Sequence, residues 1–345
     1  MKVQRYLPQL FVTFVCATFA SCQSADDKTE SKYELDPKDF IVMEVEIAEI
    51  LKPIDMTLNE NYLCLLHEEE SEGEQIFVFN ADNLNFLYKF AKRGPGPQET
   101  LALDFMKDLR GDSIDLIDQA NYKKLTYVLT PDSARLVETK YLDLPHLGPL
   151  QESHWVNDSI MIFNTAHGDI LTYNDNTNYI VDRINISELV EGIPEESANK
   201  YGAFNFSLDN KDIIVGLRFF NDIFKFKLDD QFKFIRENRL SVSSDNINMD
   251  ELYDNYGYYS YINAGGNYVL AQYYGYKMKA LQPFPINLNG SNLKYDLILL
   301  DNNLKPLAIY PLNTDILRAF LDPYKRRIYY WDAFKDFEQL KYIEF

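Results

Sequence analysis

The residues from which catalysis or metal binding would be built are four histidines, at 67, 146, 154 and 167, and many carboxylates. His67-Glu68-Glu69-Glu70 superficially offers a metal site. A zinc-binding helix of the His-Glu-x-x-His type needs a second His at position 71, which is Ser, so a solvated acidic loop explains the run more simply. Asp112, Asp115 and Asp118 are spaced by three in a strand context, which puts their side chains on alternating faces and prevents a single cage. The alternate acids and following Gly of a calcium loop are missing as well. No two histidines stand at ligand spacing, no Gly-x-Ser-x-Gly elbow or Cys-His signature occurs, and Cys64 inside YLCLL reads as a buried core thiol. The expectation is no metal, no cofactor and no assignable catalytic residue.

The segment AKRGPGPQET, residues 91 to 100, sets a basic pair beside two glycines and two prolines and raises the question of phosphate binding. A Walker-type cradle needs a Gly-rich loop that ends in Gly-Lys-Ser/Thr and runs into a helix. Here Pro95 and Pro97 remove two backbone donors and the segment follows a strand, LYKF, so it is expected to be a rigid crossover between two β-modules. Lys92 and Arg93 could still face an anionic ligand. Asp118 and Asn121 are expected to lock a turn by bonding nearby backbone N–H groups. A tyrosine cluster, Tyr253, Tyr256, Tyr258, Tyr259, Tyr261, Tyr273, Tyr274 and Tyr276 with Phe284, could stack on sugar rings or a peptide. The plainer reading is that half of these residues are core.

The elements that position these groups are strands. The chain is rich in Tyr, Phe, Ile and Val, in short alternating runs broken by Asn, Asp and Gly. A turn followed by a strand recurs six times, as NENYLCLLHE, RGDSIDLIDQ, VNDSIMIFNT, DNKDIIVGLR, GGNYVLAQYY and YKRRIYYWDA. A second strand follows each of them: EQIFVFNADN, KKLTYVLTPD, DILTYNDNTN, DIFKFKLDDQ, YDLILLDNNL and EQLKYIEF. Repetition at about 45 to 60 residues, each unit holding a few short strands, predicts an all-β, six-bladed β-propeller over residues 39–345. The last repeat has an inner strand near DILRAFL and stops one strand short. The alternating stretch DFIVMEVEIAEI, from Asp39, is therefore expected to close the sixth blade and hide its edge.

The start of the chain bears on location. Lys2 and Arg5 precede the apolar run LFVTFVCATFA and then Ser21 and Cys22, which describes a secretory signal peptide over residues 1–21. Phe19-Ala20-Ser21-Cys22 resembles the lipobox of bacterial lipoproteins, with Phe19 in place of the usual Leu. The resemblance implies lipidation at Cys22 and a membrane contact through the acyl chains; an ordinary signal peptide with a coincidental Cys is the alternative. Residues 22–38, QSADDKTESKYELDPKD after the Cys, are polar and acidic and read as a flexible tether. The start of this tether, QSADD, resembles the export signal of surface-exposed Bacteroidetes lipoproteins; a plain acidic linker on a periplasm-facing protein is the alternative.

Net charge is −19, and without Lys2 and Arg5 the balance is 32 basic against 53 acidic residues, or −21. No nucleic-acid footprint is present, because that would need clustered positive charge. The same acidity disfavours adhesion to anionic lipid. With Cys16 removed in the signal and Cys22 acylated, only Cys64 remains, so the fold must be held by its core and not by disulfides.

GDSIDLIDQANYKKLTYVL looks like an NHL-type repeat. Together with the lipobox-like start, RGPGPQE and the six weakly similar blades, the chain resembles the TolB-like, NHL-like six-bladed β-propeller lipoproteins of Bacteroidetes. The resemblance implies fold and anchor but no reaction. In blades with strands a to d running outward, the b-to-c and d-to-a connections share one face, which collects nearly every long insertion. Lys92, Arg93, His67, His167, Arg218, Tyr256, Tyr276 and Lys277 are its candidate ligand residues. The expected function is a binding module for a glycan, peptide or envelope partner protein. The alternatives are an envelope enzyme, lyase or hydrolase, with its site at the funnel, and a purely structural scaffold.

Overall fold

The computed structural model describes residues 35–47, 53–67, 73–143, 150–165, 168–190, 204–209, 211–241, 256–277, 295–312, 314–332 and 339–345. They form six four-stranded antiparallel sheets. Blade 1 holds β2 (Pro53–Leu58), β3 (Tyr62–His67), β4 (Glu74–Asn80) and β5 (Phe86–Lys92). Blade 2 holds β6 (Leu103–Arg110), β7 (Ser113–Asp118), β8 (Lys123–Leu129) and β9 (Ala134–Tyr141). Blade 3 holds β10 (Leu150–Trp155), β11 (Ile160–Thr165), β12 (Asp169–Asn174) and β13 (Tyr179–Asn185). Blade 4 holds β14 (Phe204–Asp209), β15 (Asp212–Leu217), β16 (Asp222–Leu228) and β17 (Phe234–Ser241). Blade 5 holds β18 (Tyr256–Gly265), β19 (Tyr268–Lys277), β20 (Tyr295–Asp301) and β21 (Pro306–Leu312).

Blade 6 joins both ends of the chain: β22 (Ile316–Asp322), β23 (Arg327–Asp332) and β24 (Gln339–Glu344) are completed by β1 (Val42–Glu46). Val42 pairs with Ile343 and Glu46 with Gln339, as the missing outer strand required. Lys341 of β24 fixes the closure, lying 2.9 Å from Asp332 and 3.3 Å from Glu44. The inner strands β2, β6, β10, β14, β18 and β22 touch in turn, and β22 meets β2 again, so the ring is closed.

Each blade buries both faces against its neighbours, which explains why the middle strands read as continuous apolar runs. β3, YLCLLH, and β11, IMIFNT, are buried throughout, whereas the outer strand β17, FIRENRLS, is largely exposed. Six apolar clusters result, one at each seam between successive blades. At the closing seam Phe320 stacks on Trp331 with centroids 5.5 Å apart and planes 17° from parallel. Each fully buried side chain of this size contributes about 1.5–3 kcal/mol.

Leu35, Lys38 and Phe40 extend the packed chain ahead of β1. The Lys38 N–H donates to the Ile309 carbonyl, Phe40 meets Tyr310 edge-on at 5.7 Å, and Leu35 packs on the seam of blades 4 and 5. The last residues of the acidic stretch read as tether are thus seated on blade 5, because Leu35 and Phe40 find apolar surface there.

Candidate functional site

The two ends of the ring are built differently. The a-to-b turns, 59–61, 111–112, 156–159, 210–211, 266–267 and 323–326, and the c-to-d turns, such as 81–85 and 229–233, all lie on one face and span at most five residues. Asx side chains set the geometry of several of them. Asn59 Oδ1 accepts from the N–H groups of Asn61 and Tyr62, Asn157 Oδ1 from those of Ser159 and Ile160, and Asp322 Oδ1 from those of Tyr324 and Lys325. The opposite face carries 93–102, 186–203, 242–255 and 278–294.

At that loop-rich face the inner strands begin, and four of them place a charged side chain at their second or third residue: Asp55, Asp104, Glu152 and Arg318. Arg318 Nη1 lies 3.0 Å from Asp55 Oδ2, joining blade 6 to blade 1. Its guanidinium also sits 5.3 Å over the Tyr261 ring. Burial opposes the Arg318 charge, but Asp55, then Tyr261, Asp104 and Glu152 outweigh it and push the guanidinium further up. The carboxylates also serve the backbone. Asp55 accepts from Met56 N–H, Asp104 from Phe105 N–H and the Gln119 amide, and Glu152 from Phe206 N–H in the next blade. They are fixed acceptors around one cation, an arrangement suited to holding the ring together and giving its mouth an acidic character.

Tyr256, Tyr276 and Lys277 come together at the outer end of the β18–β19 hairpin, where Tyr256 pairs with Lys277 and Gly257 with Tyr276. Arg218 is next to them, since its carbonyl accepts from Tyr258 N–H at 2.7 Å. Gly257 is required at this point because a Cβ there would collide with the Tyr274 ring. Tyr274 is buried, which pushes its hydroxyl up to about 12 against the opposing effect of Arg218. Most of the tyrosine cluster is core: Tyr258, Tyr259, Tyr261, Tyr273 and Tyr274 are buried, and the Tyr259 hydroxyl donates to Asn221 Oδ1 at 2.7 Å. They form no sugar platform, because both faces of blade 5 pack on neighbouring blades. Tyr253 and Phe284 lie outside the described residues.

Lys92 and Arg93 lie at the crossover from blade 1, across the ring from the blade 4–5 group. Their loop folds around an internal anion. Glu99 Oε2 accepts from Gly96 N–H at 2.9 Å and Oε1 lies 3.2 Å from Lys92 Nζ. Glu99 is accordingly held below the usual carboxylate range, by Gly96 first and Lys92 next. A side-chain carboxylate takes the place a phosphate would need, so the segment is the expected crossover. His67 is buried at the end of β3 with its ring edge-on to Phe77 at 5.5 Å. His167 lies outside the described residues.

The three aspartates of β7 and its preceding turn are separated as expected. Asp112 accepts from Asn61, Asp115 from Thr126, and Asp118 from the N–H groups of Ala102 and Ala120. Asn121 completes that turn by donating to Asp118 Oδ2 at 2.7 Å instead of bonding the backbone. No group of three metal-ligating side chains occurs among the described residues. Sequence reasoning missed Asp55, Asp104, Glu152 and Arg318. The available signal was a charged residue at the start of successive inner strands, which becomes visible only after the blades are aligned.

A family model described as a six-bladed β-propeller matches residues 25–153. No curated protein matches the chain in sequence. Among solved structures, a Bacteroides fragilis protein described as exported superposes with a TM-score of 0.58 at 13% identity, over 88% of this chain and 95% of its own. The β-propeller domain of Cps50 (Swd1) from Myceliophteria thermophila superposes at 0.52 with 9% identity, over 89% and 100%. At such identities the likeness concerns fold alone. Strand order, ring closure and these likenesses agree: the chain is a six-bladed β-propeller whose last blade is closed by its N-terminal strand.

Proposed function

We propose that this propeller is a lipid-anchored protein of the cell envelope, held through Cys22, that works as a binding module for a glycan, peptide or partner protein through its loop-rich face. The observation that carries the reading is the asymmetry of the two faces. The described turns on one face are short and most are locked by Asx or Thr side chains, while the strand ends on the other face are separated by stretches as long as 186–203 and 278–294 and include the acidic axial mouth. Long connections on a rigid scaffold are where recognition is usually placed. The backbone pairing of Tyr256 with Lys277 and of Gly257 with Tyr276, beside Arg218, places residues of cationic and aromatic type in one sector of that face. The axial carboxylates are engaged as acceptors for backbone and Arg318, which favours binding over general acid–base work.

Location is supported by the charged, apolar and small-residue order of the first 22 positions and by the exported B. fragilis protein of like fold. Among the described residues no helix is long and apolar enough to cross a membrane. A thermal-shift screen of the full chain against oligosaccharides and peptides tests the binding reading. A ligand at a hundred times its Kd stabilises the fold by about 2.7 kcal/mol, a visible shift in Tm. A stabilisation lost in the Tyr256→Ala, Tyr276→Ala, Lys277→Ala triple variant supports the blade 4–5 sector, and one that survives in it contradicts that assignment. Anchoring is tested by metabolic labelling with a palmitate analogue, which is expected to mark the parent and not Cys22→Ala.

A further inference from the structure

The axis opens at its other end into a cavity of about 150 Å³ of water-accessible space, walled by the final residues of inner strands from blades 1, 3, 4, 5 and 6. Taking about 30 Å³ per water, this is room for roughly five waters, or one small ring entering edge-on. Its polar groups are neutral for the most part and hydrogen-bonding. Ser207 and Asn263 occupy equivalent places in consecutive blades. Ser207 Oγ accepts from Ala264 N–H at 3.0 Å, and Asn263 Oδ1 accepts from Leu321 N–H at 2.8 Å. Both bonds join residues of the cavity wall, so the polar ends of the two side chains are part of that wall. These bonds use only acceptor capacity. The Ser207 O–H and the Asn263 amide N–H groups donate to nothing among the described residues, although Ser207 is 3% exposed. Thr57, which also lines the cavity, makes no side-chain hydrogen bond among them.

At the rim stands Tyr324, 54% exposed, on a turn held rigid by the two N–H bonds to Asp322. Gly266 faces that turn so closely that a Cβ on it would lie 2.5 Å from Pro323 Cβ. Asp209 adds a carboxylate to the lining. An axial funnel whose Ser207, Asn263 and Thr57 donors are unspent among the described residues, with the Asp209 and His154 side chains also in its lining and an exposed aromatic ring at its mouth, matches a ligand that carries many hydroxyls and an apolar C–H face. We infer that the axial funnel at the short-turn face binds a single neutral sugar residue, free or as the end of a glycan, with Thr57, Ser207 and Asn263 as its hydrogen-bonding wall and Tyr324 as its stacking face. The site is distinct from the loop-rich face.

Saturation-transfer NMR tests this on the full chain, purified in a zwitterionic detergent without sugar headgroups. The probes are the methyl glycosides of glucose, galactose, mannose and N-acetylglucosamine. At least one is expected to show saturation transfer concentrated on ring C–H protons. Thr57→Val removes a hydroxyl with no hydrogen-bond partner among the described residues and is expected to keep the parental Tm; Tyr324→Ala removes a ring that is 54% exposed, and its Tm is measured beside its affinity. Each is expected to weaken that glycoside about tenfold, while Lys277→Ala leaves it unchanged. Silence from all four glycosides overturns the inference, as does unchanged affinity in both Thr57→Val and Tyr324→Ala. Loss of binding in Lys277→Ala alone also overturns it, and moves sugar binding to the loop-rich face while leaving the binding-module reading intact.

Discussion

The two faces of the ring are made from the same six repeats, yet one has minimal turns and the other carries the long insertions. On the short-turn face, side chains at the turns also tie blades to each other. Asn59 caps its own turn and donates to the Gly111 carbonyl of blade 2, and Lys325 pairs with Asp82 of blade 1. A residue inserted there breaks a turn and a seam together. On the loop-rich face the seams are secured one layer deeper, by Arg318–Asp55 and Glu152, so the connections above them are free to vary. The difference teaches that a propeller can place its architecture at one end of the axis and leave variation at the other.

The most drastic way to break the comparison is to remove residues 1–47, which takes away β1 and exposes the β24 edge. Because blade 6 then lacks a strand, the product is expected to lose cooperative unfolding and to self-associate, read by analytical ultracentrifugation. Next in size is Asn59→Ala, which deletes the Oδ1 acceptor of two turn N–H bonds and a donor across the seam. About 2–3 kcal/mol is expected to be lost in urea titration. A cost under about 0.5 kcal/mol would show that the turn is not a clasp. Arg318→Leu leaves Asp55, only 1% exposed, beside an apolar residue. Removing one partner of a buried pair costs about 3–5 kcal/mol, and the half-open position of Arg318 brings the expectation nearer 2 kcal/mol.

A pH experiment sharpens the same contrast. Burial pushes the Asp322 carboxyl above its ordinary value despite the opposing N–H bonds from Lys325 and Tyr324. The folded state therefore holds this proton more tightly than the unfolded state, and stability is lost as pH rises through the interval above the ordinary 3.8. Asp322→Asn keeps the Oδ1 acceptor, so it is expected to exceed the parent in stability at pH 7 and to match it at pH 3. A variant less stable at pH 7 would mean that the charge itself holds the turn. The smallest effect belongs to the loop-rich face: Lys92→Ala is expected to move stability by no more than about 0.5 kcal/mol.

The parts of this structure legible in the sequence are those with local signals. The middle strands read as apolar runs because both faces of each blade are buried, and the unpaired last repeat called for the strand supplied by β1. The Asp118 turn was legible because two of its partners, Ala120 and Asn121, lie within three residues, whereas Ala102, from the preceding crossover, was not. The inner strands were harder, since they alternate poorly and meet only through ring closure. Arg318 lies inside DILRAFL, but its partner Asp55 is at the other end of the chain, and no spacing rule links the two. The tyrosines were ambiguous because aromatic side chains serve both core and binding, and only burial separated Tyr259 and Tyr273 from Tyr324.

A partner held at the loop-rich face, as proposed, must lie within reach of residues on that face and not of the short turns. A photo-reactive benzoylphenylalanine placed at Tyr276, on that face, is compared with one at Asp230, an exposed residue of a short c-to-d turn. Cross-linking is done in the intact envelope. A discrete adduct from position 276 and none from position 230 is the predicted result. An adduct from position 230 alone would contradict it and move the partner to the short-turn face.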